Sequence, residues 1–295
     1  MKSDSRVWAF AAVVWLLLVG SRAIAADVQP SPIPSGIGHC RMEVNAQQIE
    51  VFTYKPENYQ NGPLIVVCHG MKRAAELARD NSRPLADKFG AILVVPLFDG
   101  VRFPSEAYQR GGITKFRQLQ ASKDWTVSYI DEIVAQVRSQ EGNPKLSFYL
   151  LGHSAGGQFL ERLAAMKSSE ALRIVAANPG SHIFPTRDVP YPHGFGGLPE
   201  QMSNDEALKR YLAQPLTIYL GTGDLGNKDL PDDEAAVKQG TTRYERGKNC
   251  FRSAEELAKK NGWLFHWRLV EAPDIAHSAK AMYEHPKVEE ALAHP

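Results

Sequence analysis

Short apolar runs alternate with longer segments of helical periodicity along most of the chain. Several runs are continuously apolar, which is the pattern of strands buried on both faces of a parallel sheet. The predicted strands are residues 49–54, 64–68, 91–96, 146–151, 173–177, 216–220 and 264–270. The predicted helices are residues 74–89, 125–140, 157–166, 205–212, 242–261 and 278–292. This alternation predicts a three-layer α/β fold with a mostly parallel central sheet.

The first residues follow a different pattern. Lys2 and Arg6 precede an apolar run over 7–19, and Ala23 and Ala25 then form a small-x-small site. This order is typical of a secretory signal peptide, and the run is shorter than the ~20 residues that span a bilayer as a helix. We therefore predict that residues 1–25 are cleaved and that the protein is secreted or periplasmic, without stable membrane insertion. An uncleaved N-terminal anchor is the alternative.

The remaining chain divides into a short leader and one domain. Residues 26–38 are rich in Pro, Ser and Gly, which predicts an extended leader before a domain over 39–295. Within that domain, residues 178–214 separate two late strands, far more than the usual connection of about two to six residues. We expect this insertion to be a lid. Its aromatic and histidine side chains are expected to line the substrate site: Phe184, Tyr191, His193 and Phe195.

The net charge and the cysteines add one expectation about binding and one about disulfide formation. The formal net charge is +1 with basic residues scattered along the chain, which argues against nucleic-acid binding. Cys68 ends an apolar run and is expected to be a buried thiol. Cys40 and Cys250 therefore remain as the candidate disulfide in an oxidising compartment.

The clearest chemical motif is Gly-His-Ser-Ala-Gly at 152–156. It lies between a predicted strand and a predicted helix, which is the context that a nucleophile elbow requires. The tight turn exposes Ser154 at the carboxyl end of the strand, where open α/β sheets bind their ligands.

With this motif, the mature chain resembles the α/β-hydrolase family, in particular its secreted esterases and polyester depolymerase-like members. A serine hydroxyl needs an adjacent base, and the family order is serine, acid, histidine. Asp224, in a Gly-rich turn after a strand, and His277, before the last helix, match the acid and the base. Asp229 is the alternative acid. The resemblance also implies an oxyanion hole formed by the backbone N–H groups of Ala155 and Met71.

Together these residues predict a serine hydrolase that cleaves carboxylic esters through an acyl-enzyme. Its partner is a small or polymeric ester substrate. The histidines and cysteines lack the spacing of a metal site, and no phosphate-binding or dinucleotide motif occurs, so we predict no metal and no cofactor. A peptidase or amidase, an acyltransferase and a non-catalytic binding protein remain as alternatives on the same fold.

Overall fold

The computed structural model describes residues 31–294, so the predicted signal peptide and residues 26–30 of the leader lie outside the described residues. The strands are β1 (Gly36–Val44), β2 (Gln47–Lys55), β3 (Leu64–Cys68), β4 (Ile92–Pro96), β5 (Thr114–Lys115), β6 (Gln118–Leu119), β7 (Phe148–His153), β8 (Arg173–Ala177), β9 (Leu216–Gly221) and β10 (Arg268–Ala272).

The α-helices are α1 (Ala75–Phe89), α2 (Tyr129–Gln140), α3 (Ala155–Met166), α4 (Glu200–Ser203), α5 (Asp205–Leu212), α6 (Glu234–Val237), α7 (Arg243–Asn261), α8 (Ala279–Glu284) and α9 (Lys287–Leu292). Two 3₁₀ turns, Ser122–Asp124 and Thr126–Ser128, precede α2. Among residues 31–294, no helix combines the length and the apolar character needed to cross a membrane.

Eight strands form the central sheet in the order β1-β2-β4-β3-β7-β8-β9-β10. The β1–β2 and β2–β4 pairs are antiparallel, and every later pair is parallel. The carboxyl ends of the parallel strands therefore meet at one edge of the sheet. Loops from that edge can bring together side chains that are distant in sequence.

The apolar runs are continuous because both faces of the sheet are covered. In β3, Leu64 and Val66 contact one core cluster, whereas Ile65 and Val67 contact the other. The first cluster contains buried side chains of α2, α3, α5 and α7, and the second contains those of α1, α8 and α9. The predicted three-layer α/β fold with a mostly parallel sheet is therefore confirmed.

The structure corrects the predicted elements at both ends of the domain. Strand β1 begins at Gly36, inside the predicted leader, because its backbone pairs with β2 over its whole length. The last strand begins only at Arg268 rather than in the aromatic run before it. In that run, the Trp267 indole N–H donates to the Tyr211 carbonyl oxygen, so the ring packs against the end of α5. The predicted last helix is divided into α8 and α9 at Pro286, whose ring cannot continue a helix.

Candidate active site

The nucleophile elbow forms as the motif predicts. Ser154 lies between β7 and α3 with φ 57° and ψ −116°, a backbone conformation that costs energy for a non-glycine residue. The glycines on either side permit the turn. A Cβ on Gly152 would lie 2.5 Å from the backbone of Gly156, and a Cβ on Gly156 would lie 2.0 Å from the Cys68 carbonyl oxygen. Only glycine fits at these two positions without moving the backbone.

Ser154, His277 and Asp224 form one hydrogen-bonded chain. The Nε2 atom of His277 is 3.1 Å from the Oγ atom of Ser154, and its Nδ1 atom is 2.6 Å from the Oδ2 atom of Asp224. Asp224 is buried, whereas about a third of the His277 side chain is exposed. The ionised carboxylate accepts the Nδ1–H, which leaves Nε2 free to accept the serine proton. The structure thus brings the predicted nucleophile, base and acid together.

The loop that carries Asp224 and the loop that carries His277 contact each other through their backbones. Asp224 follows β9, and its N–H donates to the Gly221 carbonyl oxygen. His277 follows β10, and the Ile275 carbonyl oxygen accepts from the Gly223 N–H at 3.0 Å. A Cβ on Gly221 would lie 2.2 Å from that same Ile275 oxygen. The Gly-rich turn therefore allows the acid and the base loops to approach each other.

Arg243, which the sequence analysis missed, lies beside the acid. Its Nη1 atom is 3.6 Å from the free Oδ1 atom of Asp224, and its Nη2 donates to the Lys228 carbonyl oxygen at 2.7 Å. Burial lowers the pKa of the guanidinium, and Asp224 opposes that shift. Arg243 follows the N-cap Thr242 on α7, and no local motif marks it, because its partner is distant in sequence.

His153 supports the base in a way that the sequence did not indicate. Its ring lies 4.5 Å, centroid to centroid, from the ring of His277. It forms no hydrogen bond with Ser154 among the described residues, as expected from its position in the elbow. Burial lowers the pKa of His153 well below its usual value, and the nearby His277 and Arg243 lower it further. A neutral ring therefore packs against the base without competing for its proton.

The predicted oxyanion donors occupy suitable backbone positions. Ala155 is the first residue of α3, and Met71 follows β3, beside the elbow. Within residues 31–294, neither backbone N–H has an acceptor. The N–H of Ala155 also lies at the positive end of the α3 dipole, which favours a developing negative charge. Both donors are therefore available to a ligand.

His69 fastens the loop that carries Met71. Its Nε2 atom accepts a hydrogen bond from the Phe98 backbone N–H at 3.1 Å, so its proton is on Nδ1, 3.0 Å from the Gly70 carbonyl oxygen. Burial lowers the pKa of His69 to about 4. The neutral ring therefore braces this loop and is not placed as a second base.

The triad opens into a cavity of about 710 Å³. Met71 and residues of α1 form one wall, and Gln158 and Lys228 lie on other sides. A separate cavity of about 510 Å³ near Phe116 contains none of the predicted site residues. In the described part of the chain, no group of three metal-ligating side chains is arranged to hold an ion.

The structure does not bring the aromatic residues of the insertion into this cavity, which corrects the expected substrate lining. Phe195 is fully buried in the core, and Phe184 packs against the same cluster. The Tyr191 hydroxyl donates to the Arg110 carbonyl oxygen. His193 is paired with Asp233 at 3.0 Å. These side chains attach the insertion to its own domain, because burying their apolar area is more favourable than exposing it.

The candidate disulfide is also corrected, because all three cysteines are free thiols. Cys40 lies in β1 at one edge of the sheet, and Cys250 lies on α7, which packs on β9 and β10 near the other edge. Six strand spacings separate β1 from β9, roughly 29 Å at 4.8 Å per spacing. A disulfide requires Cα atoms within about 7 Å. Cys68 is buried, as predicted.

Comparison with known proteins identifies similar solved structures. No family model and no curated protein matches the chain. The chain is 31% identical to a poly(3-hydroxybutyrate) depolymerase from Bordetella parapertussis, with 89% of this chain and 92% of that chain covered and a TM-score of 0.80. It is 29% identical to poly(aspartic acid) hydrolase-1 from Sphingomonas sp. KT-1, with coverages of 87% and 98% and a TM-score of 0.80. An S-formylglutathione hydrolase from Agrobacterium tumefaciens, 17% identical over 87% of this chain and 95% of that chain, has a TM-score of 0.53 and shares the fold.

Proposed function

Because the chain belongs to the α/β-hydrolase family, we propose that it is a carboxylic ester hydrolase that works through an acyl-enzyme on Ser154. The hydrogen-bonded chain from Ser154 through His277 to Asp224 carries this proposal. Each member has the position and the partner that its role requires, and the chain opens into a cavity large enough for a small ester or one end of a polymer.

In the proposed first half-reaction, His277 removes the proton of Ser154 as Oγ attacks the ester carbonyl carbon. The carbonyl π electrons move to oxygen, and the N–H groups of Ala155 and Met71 stabilise that oxyanion. When the tetrahedral intermediate collapses, His277 gives its proton to the departing alkoxide. An alcohol leaves, and the acyl group remains on Ser154.

The second half-reaction repeats these steps with water as the nucleophile. His277 removes a proton from water, the tetrahedral intermediate forms again, and Ser154 departs with the proton from His277. Asp224 holds the imidazole in the tautomer that presents a lone pair at Nε2 and stabilises the imidazolium that forms. Arg243 places a positive charge beside the outer oxygen of the buried Asp224 carboxylate.

Amide hydrolysis is a second candidate, because the name of one relative at 29% identity is that of a poly(aspartic acid) hydrolase. Poly(aspartic acid) is a polyamide, and the same triad chemistry can release an amine. A 4-nitrophenyl ester and a 4-nitroanilide with the same acyl group separate the two candidates. Each kcat/KM is divided by the spontaneous hydrolysis rate of the same compound, because the ester is intrinsically more reactive. We expect the larger rate enhancement for the ester, and a larger enhancement for the anilide would favour the amidase.

The test of the nucleophile is Ser154→Ala with a fluorophosphonate probe. Wild-type protein should hydrolyse 4-nitrophenyl butyrate and bind the probe, whereas Ser154→Ala should lose both, because the hydroxyl supplies the attacking oxygen. Ser278→Ala is the matched control, since Ser278 is the other serine that lines the cavity. It should still be labelled. An unlabelled wild type, or full turnover by Ser154→Ala, would reject the serine mechanism.

The proposed location is outside the cytoplasm and rests on residues 1–25. Expression of the full chain in a bacterial host with a secretion pathway should yield mature protein that begins at Ala26. Edman sequencing or intact mass of the extracytoplasmic fraction checks this. An intact Met1 on protein in the cytoplasm would contradict it.

A further inference from the structure

Three exposed lysines line the Ser154 cavity: Lys72, Lys228 and Lys280. They come from three different elements. Lys72 follows Met71 in the loop after β3, Lys228 lies in the loop after Asp224, and Lys280 lies on α8 after His277. Each lysine therefore adjoins a segment that carries one part of the proposed chemistry. We call these three residues the lysine rim.

Carboxylates neutralise the positive charges of the lysine rim only in part. Within residues 31–294, Lys72 and Lys228 form no ion pair, and the Lys280 ammonium is 3.8 Å from Glu284 on its own helix. With the buried Arg243, the cavity lining holds four cationic side chains, against the carboxylates of Asp224 and Asp229. The lining is thus +2 (four minus two), whereas the whole chain is +1.

Large apolar side chains line the same cavity, together with polar ones such as Asn81, Gln109 and Gln158. Met71 and Leu77 are 46% and 58% exposed, which is unusual for large apolar side chains, and both line the cavity. Small residues leave room beside them: Ala74 just before α1, Ala78 on α1 and Ala279 on α8. A ligand that suits this surface has a short apolar chain and carries negative charge away from the scissile bond.

We propose that the substrate is an anionic ester, one with a carboxylate on its acyl or its alcohol part; this proposal rests on the ester hydrolase function proposed above. Charges of one sign around a cleft raise the local concentration of ligands of the opposite sign. A carboxylate at the lysine rim forms charge-assisted contacts that a neutral analogue cannot form. Each solvent-exposed contact should raise kcat/KM for the anionic ester about twofold. Three lysines should therefore give a preference over the neutral ester on the order of tenfold.

The test uses two pairs of esters that differ in one charge. The first pair is the 4-nitrophenyl monoester of adipic acid and its neutral amide, 4-nitrophenyl adipamate. The second is 4-carboxyphenyl butyrate and 4-carbamoylphenyl butyrate, which place the charge in the leaving group. Each kcat/KM is divided by the spontaneous hydrolysis rate of the same ester. In at least one pair, the anionic ester should be preferred about tenfold at low ionic strength, and added salt should reduce the preference.

Variants connect the preference to the lysine rim. The triple variant Lys72→Met, Lys228→Met, Lys280→Met should reduce the anionic-to-neutral ratio to about one, while keeping the apolar stems. Lys145→Met is the matched control, because this exposed lysine forms no ion pair within residues 31–294, precedes β7 and lies at the sheet edge opposite Ser154. Lys145→Met should keep the wild-type ratio.

The outcomes separate this proposal from the proposed function. Turnover of the neutral esters with no anionic preference in either pair overturns the anionic substrate and leaves the ester hydrolase intact. A preference that survives in the triple variant, or that Lys145→Met also removes, overturns the role of the lysine rim. Hydrolysis of none of the four esters overturns both proposals.

Discussion

Asp224 and Asp229 both line the cavity, but they differ in what surrounds them. Asp224 is buried and contacts His277, whereas Asp229 is exposed in the same loop and has no hydrogen bond to a histidine among the described residues. Because only Asp224 can fix the imidazole tautomer, the two carboxylates should contribute very differently to turnover.

Asp224→Asn should reduce kcat by several orders of magnitude, since the corresponding change in a serine protease costs about 10⁴ by favouring the wrong tautomer. Asp229→Asn, the matched control, should stay within about tenfold on a neutral ester, equivalent to ~1.4 kcal/mol. Kinetics on both variants, after circular dichroism has shown that they fold, check this. Reversed results would make Asp229 the acid.

The close packing of α3 against β3 and β7 requires a residue without a side chain at Gly156. Gly156→Ala should lower the free energy of unfolding by about 3 kcal/mol or more, because the new Cβ would meet the backbone of Cys68, which cannot move like a side chain. Gly100→Ala is the matched control, since a Cβ there meets nothing within 4 Å. It should change the stability by about 1 kcal/mol or less. Urea unfolding measures both, and equal effects would contradict the close approach.

The arrangement of the whole molecule predicts the redox state of the thiols. Because β1 and α7 lie near opposite edges of the sheet, Cys40 and Cys250 cannot pair within one chain. After unfolding in denaturant without reductant, Cys40, Cys68 and Cys250 should all react with an alkylating reagent. Intact mass should therefore show three modifications, and a reductant should not change the melting temperature. A linked Cys40–Cys250 peptide in a non-reducing digest would reject this topology.

Stability should fall in acid because the fold buries neutral histidines. Burial lowers the pKa of His69 and of His193 to about 4, whereas an unfolded histidine titrates near ~6.5. Between these values the unfolded state binds more protons, so the free energy of unfolding decreases as the pH falls from about 6.5 to 4. Each histidine contributes a slope of up to about 1.4 kcal/mol per pH unit.

His193→Gln tests the pH dependence of the free energy of unfolding at a residue outside the candidate active site, because His193 packs in the insertion. The variant should be less stable at pH 7, and its stability should depend less steeply on pH over this window. The exposed His266→Gln is the matched control and should keep the wild-type slope. Urea unfolding at a series of pH values measures the slope, and an unchanged slope in His193→Gln would contradict the prediction.

Features that depend on neighbouring residues could be predicted from the amino-acid pattern alone. The runs at β3 and β8 were predicted with correct bounds, because strands buried on both faces are apolar at nearly every position. The elbow followed from the spacing of Gly152 and Gly156 around Ser154, since a tight turn has its own residue requirements. These signals come from neighbours in the chain. Asp224 and His277 were instead assigned from the order of acid and histidine in the α/β-hydrolase family, with Asp229 left as an alternative acid.

Which distant side chains meet depends on the packing of the whole domain and could not be predicted from local pattern. Arg243 reaches Asp224, and Lys72, Lys228 and Lys280 line one cavity, because loops from separate strands converge at the carboxyl edge of the sheet. The tertiary structure also places Phe195 in the core rather than in the substrate cavity. It separates Cys40 from Cys250 by most of the width of the sheet. Composition cannot reveal such contacts, because their free energy depends on distance and burial, which the packing of the whole domain sets.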